Sequence, residues 1–448
     1  MTKTFDPKFP PHVVDDASSK GKWMALLAAF LGWMFDGLEM GLFPLAGRPA
    51  LREMLGPDVA PGQLEKAVGD WFGWIIAVFL VGAAAGGVLF GWMGDRIGRV
   101  KAMVWSVATY SLFSGFCAFV TEPWHLMGLR FIASLGMGGE WALGVALVME
   151  VWPSDKRPIL AGLIGAAANV GFMMVGFMSL ALGKVTVWYG NLLAVVLPRA
   201  WVDSLLANNG WRMLFLLGAV PALLTFVIRI FVPESEKWQQ SSKAGDKPRV
   251  REIFAPRIRK TTILGACLAG LALIGTWASV QWLPAWTSQR TGSATATAWV
   301  QIWLAIGACV FTIVAAVAAQ KSNRRIAYFG LCLISLVLCQ YIFRAKPGYG
   351  DGFLFFMFLT GGMTAAFYGW LPLYLPELFP TRVRATGSGF CFNIGRVLAA
   401  VGAITGGQLV KAFDGDYARM CAWTSLVYIV GLVVIWFCPE TKDKPLPE

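Results

Sequence analysis

Five ionisable side chains interrupt stretches that are otherwise apolar: Asp36 and Glu39 within residues 22–46, Arg130 and Glu140 within 124–149, and Arg396 within 385–409. A charge in hydrocarbon costs about 3 kcal/mol or more unless it is paired or solvated, so each of the five marks either a pathway or a pair. Asp36 and Glu39 are three residues apart and share one helix face. Two carboxylates so close in a low dielectric do not both ionise easily, so one of them holds a proton near neutral pH, as a proton carrier must. The competing role is structural, with the acids paired to Arg130, a lysine or water. At the helical rise per residue, Asp36 lies about 20 Å in from residue 22 and Arg130 about 9 Å in from the opposite end, so Arg130 is placed to face Asp36. Glu140 lies about 15 Å further along the same helix, within SLGMGGEWALG, where glycines permit close packing. Two roles are open to it, a second proton site or a tie to a neighbouring helix.

Arg396 falls well inside its apolar stretch, in FNIGRVLAAVG. Its planar guanidinium matches a carboxylate, whether of a cargo or of a side chain. No acid in the second half is an evident partner, since Glu377 sits at a helix end. Anchoring of an anionic substrate is therefore preferred to a bridge with Asp36 or Glu39. Arg229, near the end of its helix, is expected to snorkel.

The elements that hold these residues follow from composition. The chain has 448 residues, 57% hydrophobic and 14% charged, which leaves too little polar surface for a soluble domain. Each bilayer crossing takes about 20 apolar residues, so about a dozen crossings account for nearly the whole chain. They are read at 22–46, 70–90, 102–120, 124–149, a fifth ending near 182, 211–232, 261–284, 296–319, 326–343, 353–376, 385–409 and 418–438. The fold expected is an all-α membrane protein of 12 transmembrane helices in two six-helix pseudo-repeated halves. Its segments are a tail at 1–21, a first half at 22–236, a linker at 237–260, a second half at 261–438 and a closing tail at 439–448. Residues 184–210 read as an extended outer end with a partly ordered loop, because LLAVVL is too short to cross and Pro198, Arg199 and Asp203 break it.

The net charge of +12 does not point to nucleic acid, because the basic residues form no stripe and fall in loops. About 24 Lys and Arg lie on the linker side against about 11 on the other, which places both termini in the cytoplasm. The basic linker then follows topology and meets anionic lipid. Eight cysteines are scattered without C-x-x-C spacing, and the two histidines, His12 and His125, lie outside the apolar stretches. No metal site, no cofactor and no nucleophile–base pair is expected, so the chain does not read as an enzyme. The first 20 residues lack the basic-then-apolar design of a cleaved signal.

Between the second and third crossings lies GWMGDRIGRVK, residues 91–101. Gly91, Gly94 and Gly98 allow a tight reversal, while Asp95, Arg96, Arg99 and Lys101 place alternating charge at the membrane face. The second half repeats the first. EVWPSDKRPILAG at 150–162 superposes on ELFPTRVRATGSG at 377–389 without a gap, pairing Glu150 with Glu377, Pro153 with Pro380, Arg157 with Arg384 and Gly162 with Gly389. The same register sets Asn169 opposite Arg396. PESEK and PETKD close the two halves, and the second-half copy of the charged loop, AAQKSNRRIAY at 318–328, keeps a basic pair without the aspartate.

The charged loop resembles the loop 2–3 signature of the major facilitator superfamily, with Gly91, Asp95, Arg96, Gly98 and Arg99 at its defined positions. That resemblance implies alternating access by two rocking six-helix halves with binding between them. It also implies that Asp95 engages the start of a helix in the other half, and that Glu150, Arg157, Glu377 and Arg384 belong to the gating set. Within the superfamily the sequence resembles the proton-coupled carboxylate symporters over essentially its whole length. FDGLE at 35–39 and NIGR at 393–396 are similar to motifs of aromatic-acid symporters, with Glu39 in place of a second aspartate. RFIASLGMGGEW at 130–141, the EVWP turn and PESEKW look more like sialate and lactate symporters. The implied function is proton-coupled symport of a small organic carboxylate in a bacterial inner membrane, by a chain active as a monomer. A uniporter, an exchanger or a transport-derived sensor are the alternatives. Arg396, Asn169, Trp277, Gln281 and Tyr368 are the expected cargo contacts, Trp370 and Trp282 standing near them, and Asp36, Glu39, Arg130 and Glu140 the expected proton-coupling group.

Overall fold

Backbone polar groups in hydrocarbon have only one another as partners, so apolar stretches of this length become helices. The computed structural model describes residues 19–153, 155–195, 198–221, 223–224, 228, 231–243, 249–397, 413–444 and 446–447. The first half consists of α1 (Ser19–Leu55), α2 (Pro61–Ile97), α3 (Arg99–Phe116), α4 (Pro123–Val151), α5 (Arg157–Leu180), α6 (Leu182–Leu193) and α7 (Arg199–Leu217). The linker carries α8 (Glu236–Lys243) and a 3₁₀ turn at Val250–Phe254. The second half has α9 (Arg259–Trp277), α10 (Leu283–Thr291), α11 (Ala294–Lys321), α12 (Arg324–Ala345), α13 (Asp351–Ala365) and α14 (Phe367–Glu377). After these come α15 at 384–397, then α16 (Tyr417–Thr424) and α17 (Val427–Val434). Ten stretches of the described helices are long and apolar enough to cross a membrane, and the architecture is the expected twelve-crossing, two-half arrangement. Arg229, His12 and the later part of the eleventh crossing lie outside the described residues.

Three features differ from the sequence reading. First, α1 and α2 are each 37 residues long and run well past the apolar stretches 22–46 and 70–90. Their polar extensions are joined by Arg52 Nε and Glu65 Oε1 at 2.6 Å. Second, the segment expected to be partly loop between 184 and 210 is helical in α6 and from Arg199 onward. Pro198 starts a helix there instead of ending one, since its missing N–H falls where a helix start leaves donors unpaired. Third, three crossings of the second half are broken, the twelfth at Ser425 and Leu426 between α16 and α17. The seventh passes from α9 through Ala278 and Ser279 into a 3₁₀ turn at Val280–Trp282 and then α10, and the tenth changes from α13 to α14 at Ala366.

Close packing depends on glycine. A Cβ at Gly138 of α4 would collide with the Ala83 backbone of α2, and one at Gly165 of α5 with the Tyr368 backbone of α14 in the other half. The largest hydrophobic cluster runs through both halves, from Leu26 and Trp33 to Cys438, so the core includes the surface between them.

Candidate functional site

Halfway along the bundle, α1 and α4 of the first half meet α14 and α15 of the second. Asp36 and Glu39 project from α1 to different partners. Glu39 Oε1 accepts from Arg130 Nη1 and, at 2.9 Å, from Ser114 Oγ. The Arg130 guanidinium also lies over the rings of Phe43 and Phe79, at 4.6 and 4.4 Å. Arg130 therefore pairs with Glu39 and not with Asp36. The pairing follows from helix geometry, since residues three apart point about 60° apart around the axis and reach different neighbours.

Asp36 adjoins Glu140, and Arg396 of the second half acts on Asp36 electrostatically. Both acids are buried, and none of their four carboxyl oxygens meets hydrogen-bond geometry with any described residue. Glu140 occupies the space left by Gly32, one turn before Asp36, so any side chain at position 32 would evict it. The Tyr110 hydroxyl also acts on this pair and has no hydrogen-bond partner among the described residues. Arg396 donates from Nη1 to Asn393 Oδ1 at 2.8 Å and lies 5.4 Å from the Phe392 ring centre. Asn393 in turn donates to the Gly138 carbonyl of α4 at 3.2 Å, so the arginine is steadied from across the interface. No carboxylate among the described residues comes within ion-pairing distance of Arg396.

Beside these charges stands an aromatic cluster that sequence reasoning missed except for Tyr368. Trp141 and Phe392 stack at 3.8 Å with a 12° interplanar angle. Trp33 meets Trp141 and Phe392 edge-on, both at 6.0 Å, and Tyr368 meets Trp33 and Phe392 edge-on, both at 6.2 Å. The signal was present in the sequence. Trp33, Trp141 and Phe392 each lie within about one helical turn of an intramembrane charge, Asp36, Glu140 and Arg396 respectively.

A small cavity of about 40 Å³ opens where the broken seventh and tenth crossings meet α5 and α11, its mainly apolar wall carrying the polar side chains of Asn169, Thr276, Gln281, Gln301 and Thr364. It has room for a few waters. Asn169 and Gln281 thus share one cavity, while Trp277 packs on Ile76, Ala77 and Leu80 of α2. Tyr368 lies beside Thr276 and Trp277 and so joins the cavity to the aromatic cluster. Trp370 and Trp282 do not line it. Trp370 donates to the Arg324 carbonyl at 3.0 Å and stacks on Tyr374, and Trp282 packs on Tyr417.

At the end of the bundle that carries the linker, the two halves are closed on each other. Asp95, at the end of α2, accepts from the backbone N–H groups of Ala385 and Thr386 at 3.2 and 2.8 Å and from the Thr386 hydroxyl. Those are first-turn donors of α15 that would otherwise be unpaired. Arg99 bridges Asp95 at 2.5 Å and Glu150 at 3.0 Å, and reaches the Thr381 carbonyl of the other half at 3.0 Å. Glu150 also takes Arg384 at 2.9 Å, so this pair crosses between the repeats, whereas Glu377 pairs with Arg324 at 2.8 Å. Arg157 lies within the field of Arg384, Glu377 and Glu150, with a buried Nε that has no hydrogen-bond partner among the described residues. Gly91 lets α2 approach the Ala385 carbonyl, and Gly94 lies under Leu143. Gly98 adopts φ +113°, beside Glu234 and Trp238, where a side chain would be strained. Arg96 points away and lies over Trp92 at 5.0 Å. Glu234 caps α3 through the N–H groups of Arg99 and Val100 at 2.8 and 3.1 Å, and Glu440 does the same for α12 at Arg324 and Arg325, so the PESEK and PETKD motifs have one job in both halves.

Known proteins share this architecture. The cis,cis-muconate transport protein of Acinetobacter baylyi is 29% identical over 435 residues, 94% of this chain and 95% of its own. The sialic acid transporter NanX of Escherichia coli is 25% identical over 398 residues, 88% of this chain and 87% of its own. The solved proton:xylose symporter XylE superposes with a TM-score of 0.73 at 18% identity, covering 96% of this chain and 98% of that one, which speaks to the fold alone. The model of the Major Facilitator Superfamily matches residues 23–403. With its repeated halves, its ion pairs crossing between them and a family match over most of its length, this multi-pass transport protein belongs to the Major Facilitator Superfamily.

Proposed function

We propose that the chain is a secondary active transporter that moves a small organic carboxylate together with a proton by alternating access, across a bacterial inner membrane, as a monomer with both termini cytoplasmic. The observation that carries this reading is the buried, adjoining Asp36–Glu140 pair, with no hydrogen-bond partner beyond each other among the described residues, beside the Arg396 guanidinium of the other half. Two adjoining carboxyls in a low dielectric do not both hold a charge, so the pair is suited to taking up and releasing a proton. A buried guanidinium without its own carboxylate is suited to an anion brought in from outside. Arrival of the anion changes the charge beside Asp36 and couples the two cargoes.

In this reading Glu39 and Arg130 fix α1 against α4, since they neutralise each other, and the coupling work falls to Asp36 and Glu140. Asn169, Gln281 and Tyr368 then contact the part of the cargo away from its carboxylate, and Trp277 closes the opposite end of the path against α2. Asp95, Arg99, Glu150 and Arg384 close the linker end. The names of the muconate and sialic acid transporters support an organic acid as cargo. The test is purified protein in liposomes loaded with a pH dye, challenged with aromatic acids, short monocarboxylates, sialic acid and neutral sugars. Lumen acidification by a carboxylate is expected. Cargo entry without any pH change would point to a uniporter or an exchanger and sink the reading.

A further inference from the structure

We infer that Trp141 and Phe392 form a slot for a planar, conjugated portion of the cargo, and that the slot closes on itself when empty. The inference rests on the carboxylate reading above and adds the shape of what the carboxylate is attached to.

The two rings are held at 3.8 Å and 12°, which is stacking geometry, while Trp33 and Tyr368 stand edge-on to them at 6.0 to 6.2 Å. One parallel pair with perpendicular walls is the shape that a flat molecule would leave behind on departure. Parting the rings by about 3.5 Å, one van der Waals thickness, admits a planar group with a ring on each face. The slot is aimed at the charges. Phe392 is one turn from Arg396, which lies 5.4 Å from its ring centre, and Trp141 is next to Glu140. A flat acid between the rings would thus extend its carboxylate toward Arg396 and set it beside the Asp36–Glu140 pair.

A second, independent observation points to a polar group on the cargo. The indole Nε1 atoms of Trp33 and Trp141 are buried with no hydrogen-bond partner among the described residues, and the two tryptophans are only 4% and 1% exposed. Buried indole N–H groups ordinarily find an acceptor, so these two are available to a polar substituent of the cargo.

The slot is divided between the halves, with Trp33 and Trp141 from the first and Tyr368 and Phe392 from the second. It therefore parts only when the halves move. In the empty carrier the rings stack on each other and supply the contact that the cargo supplies when loaded, so the empty carrier can also close and return.

The experiment compares acids matched in charge and size, benzoate against cyclohexanecarboxylate and trans,trans-hexadienedioate against adipate, by uptake into liposomes with wild type, Phe392→Leu, Phe392→Trp and Trp141→Leu. Wild type is expected to favour the planar member of a pair by about tenfold in kcat/KM, the scale of one aromatic stacking contact. Phe392→Leu and Trp141→Leu should bring the ratio within about twofold of unity, and Phe392→Trp should keep the preference. Should either leucine variant not fold, the wild-type ratio and Phe392→Trp still decide. Equal handling of planar and saturated acids by wild type, or a preference unchanged in a folded Phe392→Leu, would overturn the slot and leave the carboxylate reading standing. Transport of neutral sugars with no carboxylate moved would overturn both.

Discussion

Replacing Asp95 by alanine should open the linker end of the transporter. In the closed arrangement the Asp95 carboxylate accepts from Ala385 N, Thr386 N and Thr386 Oγ1, all in the other half, and from Arg99 at 2.5 Å. Alanine leaves those donors buried without an acceptor, at about 1 kcal/mol or more each when the low end of the usual range is taken. Once the halves part at this end, water meets the same donors and the penalty disappears. The three donors of the other half together bias the equilibrium by about 3 kcal/mol, which is roughly a hundredfold change in the ratio of open to closed. Ala142 reports on this opening. It is fully buried in α4 and lies against Gly389 of α15. An Ala142→Cys thiol, alkylated by maleimide in detergent and read at that peptide by mass spectrometry, should react about a hundredfold faster in the Asp95→Ala background. Asp95→Asn, which keeps one acceptor oxygen, should fall between. An unchanged rate in Asp95→Ala protein that melts cooperatively would refute the claim that this carboxylate holds the halves together.

Two further outcomes follow from the same contacts. Glu39→Gln leaves the Arg130 charge buried against Phe43 and Phe79 without a counter-charge, which should cost about 3–5 kcal/mol in detergent unfolding, while Glu39→Gln with Arg130→Met should recover most of it; equal losses in both would show that the ion pair is not the cause. Glu440 is expected to give a pH signature. Partial burial alone would raise its carboxyl, but the N–H groups of Lys442, Arg324, Arg325 and Thr441 outweigh burial and hold it below the usual range. Its contribution is then present above the ordinary glutamate value of about 4.3 and lost as the pH falls through the lower folded value. Wild type should melt above Glu440→Gln at pH 7, with the gap starting to shrink only at about pH 4.3 and closing as the pH falls through the lower folded value, whereas a gap independent of pH would contradict the capping role.

The helices were legible because hydrocarbon allows the backbone one solution, and the halves because Glu150, Pro153, Arg157 and Gly162 recur at one offset. The intramembrane charges were also legible, since each stands out against an apolar background. Their partners were not. Spacing along α1 puts Asp36 and Glu39 on one broad face, but a turn of about 60° sends one to α4 and α15 and the other to Arg130 and Ser114. Only tertiary packing decides that division. The crossed pair Glu150–Arg384 was hidden for the same reason, because the repeat aligns Glu150 with Glu377 and Arg157 with Arg384 without saying which acid meets which arginine. Trp33, Trp141 and Phe392 were lost among 21 tryptophans and 31 phenylalanines, and proximity to a charge was the cue that would have separated them. In the 184–210 segment Pro198 and its polar neighbours read as breakers, although proline at a helix start is compatible with the helix that follows.

The most direct test of the coupling account separates cargo binding from proton movement in one protein. Liposomes are loaded with unlabelled carboxylate for exchange against labelled carboxylate, and in parallel a pH gradient, acid outside, drives net uptake into empty liposomes. Asp36→Asn and Glu140→Gln are predicted to keep exchange within a few-fold of wild type and to lose gradient-driven accumulation, while Arg396→Gln loses both. Accumulation and lumen acidification that persist in Asp36→Asn would contradict the assignment of the proton to this pair.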